Sequence, residues 1–119
     1  MPRIPMIPLL ERLAQIALVA AVCLAFAVAI MPTGEGPSRY NDKLVHGVTF
    51  FVLGGLTAAG FRRHSALALF AALTGFGGLI EIVQWATDWG RSAELADLAA
   101  DMVGGAIGIA IARFITREP

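Results

Sequence analysis

The sequence has little charge: Asp, Glu, Lys and Arg make up 15% of its 119 residues, and the nine basic residues equal the nine acidic ones. There is no basic excess to neutralise nucleic-acid phosphates, so we expect no nucleic-acid partner. The single cysteine, Cys23, cannot form an internal disulfide, and no Cys/His spacing is typical of a zinc site. Hydrophobic residues make up 57% of the chain, which excludes a disordered tail and disfavours an ordinary cytosolic domain.

Long apolar segments dominate what remains. The first, LAQIALVAAVCLAFAVAI from Leu13 to Ile30, has no charge and is long enough to cross about 30 Å of hydrocarbon once its ends are included. Four spans are predicted, at about residues 10–31, 43–61, 65–86 and 94–115. The links between them are short enough to require antiparallel neighbours. The sequence therefore predicts an all-α membrane protein, a single domain over residues 1–119 made of four antiparallel transmembrane helices with short loops.

The first span also has features of a cleavable signal peptide. Arg3 and Arg12 precede the apolar run, and Ala27-Val28-Ala29 is a small-x-small sequence. The run is longer than the 7 to 15 residues usual for a signal core, so we favour a retained helix and keep cleavage as the alternative.

The basic residues predict the orientation of the spans. Six arginines lie on the side that holds both termini, and three basic residues lie on the other side. The positive-inside rule then places both termini in the cytoplasm. Tyr40, Trp85 and Trp89 fall at the predicted outer boundary, where aromatic rings anchor helices among headgroups.

Polar residues cluster at the predicted outer ends of three spans. Residues four apart on a helix share a face, as Asp42 and His46 do on the second span. Because neighbouring spans are antiparallel, the patches lie at one depth, and we expect them to converge in a pocket that opens outward. The candidate binding residues are Asp42, Lys43, His46, Glu81, Gln84, Arg91, Asp97 and Asp101.

Glycines accompany these patches on the third and fourth spans. Gly104-x-x-x-Gly108 permits close contact between helices, and small residues precede Glu81 on its face. The predicted packing glycines are Gly77, Gly78, Gly104, Gly105 and Gly108.

Ionisable groups inside a membrane are costly unless they face each other or water. The carboxylates outnumber Lys43 and Arg91, so some acids should be protonated, be solvated, or bind an external cation. We expect no cofactor, and a bound divalent cation is the alternative. The sequence does not indicate which metal or which ligands such a site would have. Structural roles are also open. They are a hydrogen bond from His46 to Asp42 or to a neighbouring helix, a pair of Glu81 with Arg91 or Lys43, and contacts between helices made by Gln84, Asp97 and Asp101.

Four separated motifs share an order with a known family. Asn41-Asp42-Lys43-Leu44-Val45-His46 is followed by Phe50, then by Glu81-x-x-Gln84, then by Gly90-Arg91-Ser92 with Asp97 and Gly104-Gly105 downstream. Over residues 41–108 the chain resembles the VanZ-like membrane protein family. In that family the aspartate of the fourth span is usually followed four residues later by Asn, whereas this chain has Asp101.

The resemblance implies a small multi-pass protein of the bacterial inner membrane and a role in the cell envelope. The family is named for low-level teicoplanin resistance, but most members are not tied to resistance, so that role is not carried over automatically.

Two classes of function follow. In the first, a non-enzymatic envelope factor binds a membrane lipid headgroup, a lipid-linked cell-wall precursor or a glycopeptide-type antibiotic. In the second, a minimal intramembrane hydrolase or transferase uses Glu81 as base and His46 as acid, with an ion held by Asp97 and Asp101. The chain has no recognisable nucleophile motif or HExxH, so we favour binding. A transporter is a third class, which would require this four-span chain to form a homo-oligomer.

Overall fold

The computed structural model describes residues 2–30, 39–87 and 95–118, without the side chains of residues 39–42 and 87. Predictions for the side chain of Asp42 and for Arg91 therefore lie outside the described residues, as do those for Tyr40 and Trp89.

Four long helices make up nearly all of the described chain, which confirms the all-α prediction. They are α1 (Pro8–Ile30), α2 (Arg39–Gly60), α3 (Ala66–Thr87) and α4 (Leu95–Ile115). Each contains a segment long and apolar enough to cross a membrane. The largest difference from the predicted bounds is the start of α2, four residues before the predicted 43. The helix α3 follows Ser65, whose Oγ accepts a hydrogen bond from the Ala68 amide at 3.0 Å, as an N-cap residue does.

The tightest helix pair is α2 and α4, which run in the same direction. A Cβ atom added to Gly104 would collide with the carbonyl oxygen of Gly47, and one added to Gly108 would collide with that of Phe51. Residue numbers increase in the same direction along both helices from one contact to the next, so the two helices are parallel. The absence of side chains at these glycines lets the two backbones meet.

The predicted packing glycines differ in what surrounds them. Gly105 lies against Leu73 of α3, and a Cβ at Gly77 would lie 2.8 Å from a carboxylate oxygen of Asp101. A Cβ at Gly78 would meet nothing within 4 Å, so the packing role predicted for Gly78 is wrong among the described residues. Gly54, which is not among the predicted packing glycines, also packs closely, because a Cβ there would collide with the backbone of Gly105.

Aromatic and aliphatic side chains fill the centre of the bundle. Phe50 and Leu53 of α2 are almost completely buried, and the Phe50 and Phe76 rings stack with centroids 5.9 Å apart. Phe26 brings α1 to the same cluster, with its ring 6.4 Å from that of Phe76. The long axis of the molecule is 47 Å, close to the thickness of about 40–45 Å of a bilayer with its headgroups.

Both termini meet at one end of the bundle. Ile4–Pro5 pairs with Thr116–Arg117 as a short parallel strand pair. The Arg113 side chain donates to the carbonyl oxygens of Phe61 and His64 at 3.1 and 2.7 Å. Arg62 donates to Thr116 Oγ1 at 2.7 Å. The pKa of Arg62 is lowered, mainly by burial and to a smaller extent by the nearby positive charge of Arg113. Both termini and the turn between α2 and α3 therefore lie at the same end of the bundle, as predicted for four antiparallel spans.

Candidate functional site

The centre of the candidate site is a contact between α2 and α4. His46 Nδ1 lies 2.7 Å from Asp101 Oδ1, at hydrogen-bond distance. The Asp101 side chain is fully buried, whereas that of His46 is 10% exposed. The Gly47–Gly104 backbone contact lies next to this pair and brings the two helices close enough for a histidine to reach across. Of the two structural partners predicted for His46, Asp42 or a neighbouring helix, the described one is Asp101 of the neighbouring helix α4.

A second carboxylate faces the other nitrogen of the same ring. Asp97, one helical turn before Asp101, has Oδ2 3.8 Å from His46 Nε2. Its Oδ1 lies 3.8 Å from Lys43 Nζ, whose side chain is one-third exposed. The His46 ring is therefore flanked by two carboxylates, and Lys43 extends the charged cluster towards the predicted outer end of α2.

The third helix supplies Glu81. Each of three side chains, His46, Glu81 and Asp101, offers one potential metal-ligand atom, and these three atoms lie within 4.8 Å of one another. Gly77, one turn before Glu81 on α3, leaves the space that Asp101 occupies, since a Cβ there would lie 2.8 Å from Asp101 Oδ2. We use the term polar cluster for Lys43, His46, Glu81, Asp97 and Asp101.

An apolar groove between α1 and α2 begins at this cluster. The groove has a volume of about 490 Å³ and a mostly apolar lining. Ala21, Ala25 and Val28 of α1 form one wall, and Val45 and Thr49 of α2 belong to the opposite wall. His46 also lines the groove, so this ring contacts both the apolar space and the buried carboxylates.

Gln84, one of the predicted site residues, has a different neighbour. Its Nε2 donates to the carbonyl oxygen of Ala29 in the last turn of α1, at 2.8 Å. The structure thus uses Gln84 to fasten α1 to α3. At the other end of α1, Gln15 Nε2 donates to the Gly60 carbonyl oxygen at 2.7 Å. The sequence analysis missed Gln15, although an uncharged amide within an apolar span is itself a signal for a contact between helices.

Four membrane-length helices around a buried polar cluster define a small multi-pass membrane protein. The VanZ/LLP1 family model matches residues 13–116, which include most of α1 and all of α2 to α4. The chain belongs to the VanZ/LLP1 family. Comparisons with curated proteins and with solved structures gave no match.

Proposed function

We propose that this protein is a non-enzymatic factor of the bacterial cell envelope that binds an amphiphilic molecule within the cytoplasmic membrane. The apolar chain of that molecule occupies the α1–α2 groove, and its polar headgroup meets the polar cluster. The observation that carries the proposal is the position of His46, which lines the groove and also contacts Asp101 at 2.7 Å. A ligand that follows the groove to His46 needs an apolar part and a polar end.

The charges of the polar cluster suggest the chemistry of the headgroup. Three carboxylates, Glu81, Asp97 and Asp101, face Lys43 and His46, so a headgroup amine or hydroxyl finds acceptors. Lys43 is partly exposed and can bind a phosphate next to that amine. A zwitterionic phospholipid with a primary amine matches both features. A lipid-linked cell-wall precursor and a glycopeptide-type antibiotic are the other ligands to be compared with it.

The proposed orientation places the polar cluster in the outer leaflet. The end that holds both termini carries the arginines at positions 3, 12, 62, 63, 113 and 117. The positive-inside rule assigns this end to the cytoplasm. The ligand then enters from the outer leaflet, between α1 and α2.

Native mass spectrometry of the full chain in mild detergent tests the proposal. Delipidated protein is incubated with phosphatidylethanolamine, phosphatidylglycerol or undecaprenyl phosphate. Ala25→Phe fills the groove, and Ala20→Phe on the exposed side of the same helix is its matched control. We expect retention of phosphatidylethanolamine in the parent and in Ala20→Phe, and at least a tenfold loss in Ala25→Phe. Equal retention in the two variants would contradict binding in the groove.

One observation favours an enzymatic alternative. His46, held by Asp101 and close to Glu81, resembles an acid–base arrangement that could act on an ester or phosphate. Among the described residues, Ser65 caps α3 and Cys23 is exposed on α1, so neither supplies a nucleophile to the cluster. In this alternative, water is the nucleophile. Release of a headgroup from any of the three lipids, lost in Glu81→Gln, would support this alternative over simple binding.

A further inference from the structure

Three helices each contribute one metal-ligating side chain to a single point in the polar cluster. His46 comes from α2, Glu81 from α3 and Asp101 from α4, and their donor atoms lie within 4.8 Å of one another. We propose that these three residues form a binding site for a divalent transition-metal ion, for which Zn²⁺ is the best match. The inference does not depend on lipid binding, because it uses only these side chains and their surroundings.

The distances are close to those a bound ion requires. Three atoms within 4.8 Å of one another have a central point no more than about 2.8 Å from each. Zinc binds imidazole nitrogen and carboxylate oxygen at about 2.0–2.2 Å, so each donor has to move by less than about 1 Å.

The donor types select among metals. One imidazole nitrogen and two carboxylate oxygens suit Zn²⁺ or Mn²⁺ better than Cu⁺, which prefers thiolate and thioether ligands. Ca²⁺ and Mg²⁺ favour sites built from oxygen atoms, and here one of the three donors is a nitrogen. Three protein ligands also leave a fourth position for water or another oxygen ligand.

Asp97 provides an independent observation in favour of a metal. Histidines that bind metals usually donate their second ring N–H to a carboxylate, which fixes the tautomer and the ring orientation. His46 approaches this arrangement: Nδ1 faces Asp101 at 2.7 Å, and Nε2 lies 3.8 Å from Asp97 Oδ2, a charge contact that is longer than a hydrogen bond. The ion would replace the proton between Nδ1 and Asp101, while Asp97 orients the ring from the opposite side.

The packing around Asp101 also supports the site. Gly77 leaves room for Asp101 Oδ2, since a Cβ there would approach that oxygen to 2.8 Å. A glycine at this position therefore lets α3 approach α4 without displacing the Asp101 carboxylate.

The test measures metal binding to the full chain in detergent after treatment with a chelator. Zn²⁺ is titrated by calorimetry, and Co²⁺ is titrated in parallel because its visible absorption reports coordination by nitrogen and oxygen. We expect one ion per chain in the parent. Glu81→Gln should weaken binding at least tenfold, whereas Glu11→Gln, the same substitution near the opposite end of the molecule, should leave it unchanged.

Folding is checked by helical circular dichroism and by gel filtration. Gly77→Ala is a second variant that keeps all three ligands but crowds Asp101, and we expect a changed Co²⁺ spectrum and weaker Zn²⁺ binding. The parent is itself decisive: a folded parent that binds no Zn²⁺ at micromolar concentration would overturn the proposal. Binding that is equal in the parent and in folded Glu81→Gln would overturn it as well.

Discussion

His46 and Asp101 join α2 to α4 through a contact of 2.7 Å between Nδ1 and Oδ1. These two helices run in the same direction and meet along glycines, so the polar contact and the close backbone packing support each other. A buried carboxylate in a membrane is costly unless it is paired. The closest described partner of Asp101 is His46, which lies 55 residues earlier in the sequence on another helix.

This contact predicts that Asp101 tolerates substitution less well than Asp97. Asp101→Asn places additional N–H donors in a fully buried position and removes the charge facing His46, with an expected cost of about 1–3 kcal/mol. Asp97 is also buried, but it faces Lys43 and His46 at the longer distance of 3.8 Å and Lys43 is one-third exposed, so we expect Asp97→Asn to cost less than Asp101→Asn. Thermal unfolding in one detergent compares the two variants. A less stable Asp97→Asn would contradict the ranking.

The glycine contacts predict a sharp difference between alanine variants. Gly104→Ala and Gly108→Ala each place a methyl group against a backbone carbonyl of α2, and we expect a loss of about 1–3 kcal/mol from overpacking. Gly78→Ala is the matched control: its methyl group meets nothing within 4 Å, and helix propensity favours alanine by up to about 1 kcal/mol. Denaturation in mixed micelles measures these effects. Equal stabilities of Gly104→Ala and Gly78→Ala would rule out the close α2–α4 packing.

The arginine contacts at the end that holds both termini give a third prediction. Arg113 binds the carbonyl oxygens of Phe61 and His64, which follow α2. Arg113→Ala should lower the free energy of unfolding by about 1 kcal/mol, because these contacts are charge-assisted but partly exposed. Arg63→Ala, on an exposed side chain in the same turn, is the control and should change stability by less than half as much. A larger effect at Arg63 would argue against this role of Arg113.

Reporter fusions test the orientation. A fluorescent protein fused after Glu118 should fluoresce, and alkaline phosphatase at the same position should be inactive, because the arginine-rich end is expected in the cytoplasm. Phosphatase inserted after Gly34, between the first two helices in sequence, should be active. The reverse pattern would invert the proposed direction of ligand entry.

The sequence predicted the number and class of helices because hydropathy and length directly reflect the thickness of the membrane. It also indicated that Glu81, Asp97 and His46 lie at one depth, since antiparallel spans fix the relative heights of residues. The parallel α2–α4 pairing was not predictable in this way. Periodicity shows which residues avoid lipid, but not which helix each of them meets.

The partner of His46 illustrates this limit. The sequence indicates Asp42 on the same helix or some residue of a neighbouring helix, whereas the fold brings Asp101 to the ring because Gly47 and Gly104 let the backbones touch. Gln84 and Gly78 show the same limit from the other side. Each lies close in sequence to Glu81, yet Gln84 binds the end of α1, and a Cβ at Gly78 would meet no atom within 4 Å among the described residues.

The most direct test of the central claim is photo-crosslinking with phosphatidylethanolamine that carries a diazirine in its acyl chain. We expect crosslinks at residues of α1 and α2 that line the groove, such as Ala25, Val28 and Thr49, and their strong reduction in His46→Gln. The exposed surface of α4 over residues 103–111 reports non-specific contact with lipid. Crosslinks spread equally over α4 and the groove, unchanged in His46→Gln, would contradict a specific amphiphile site at the polar cluster.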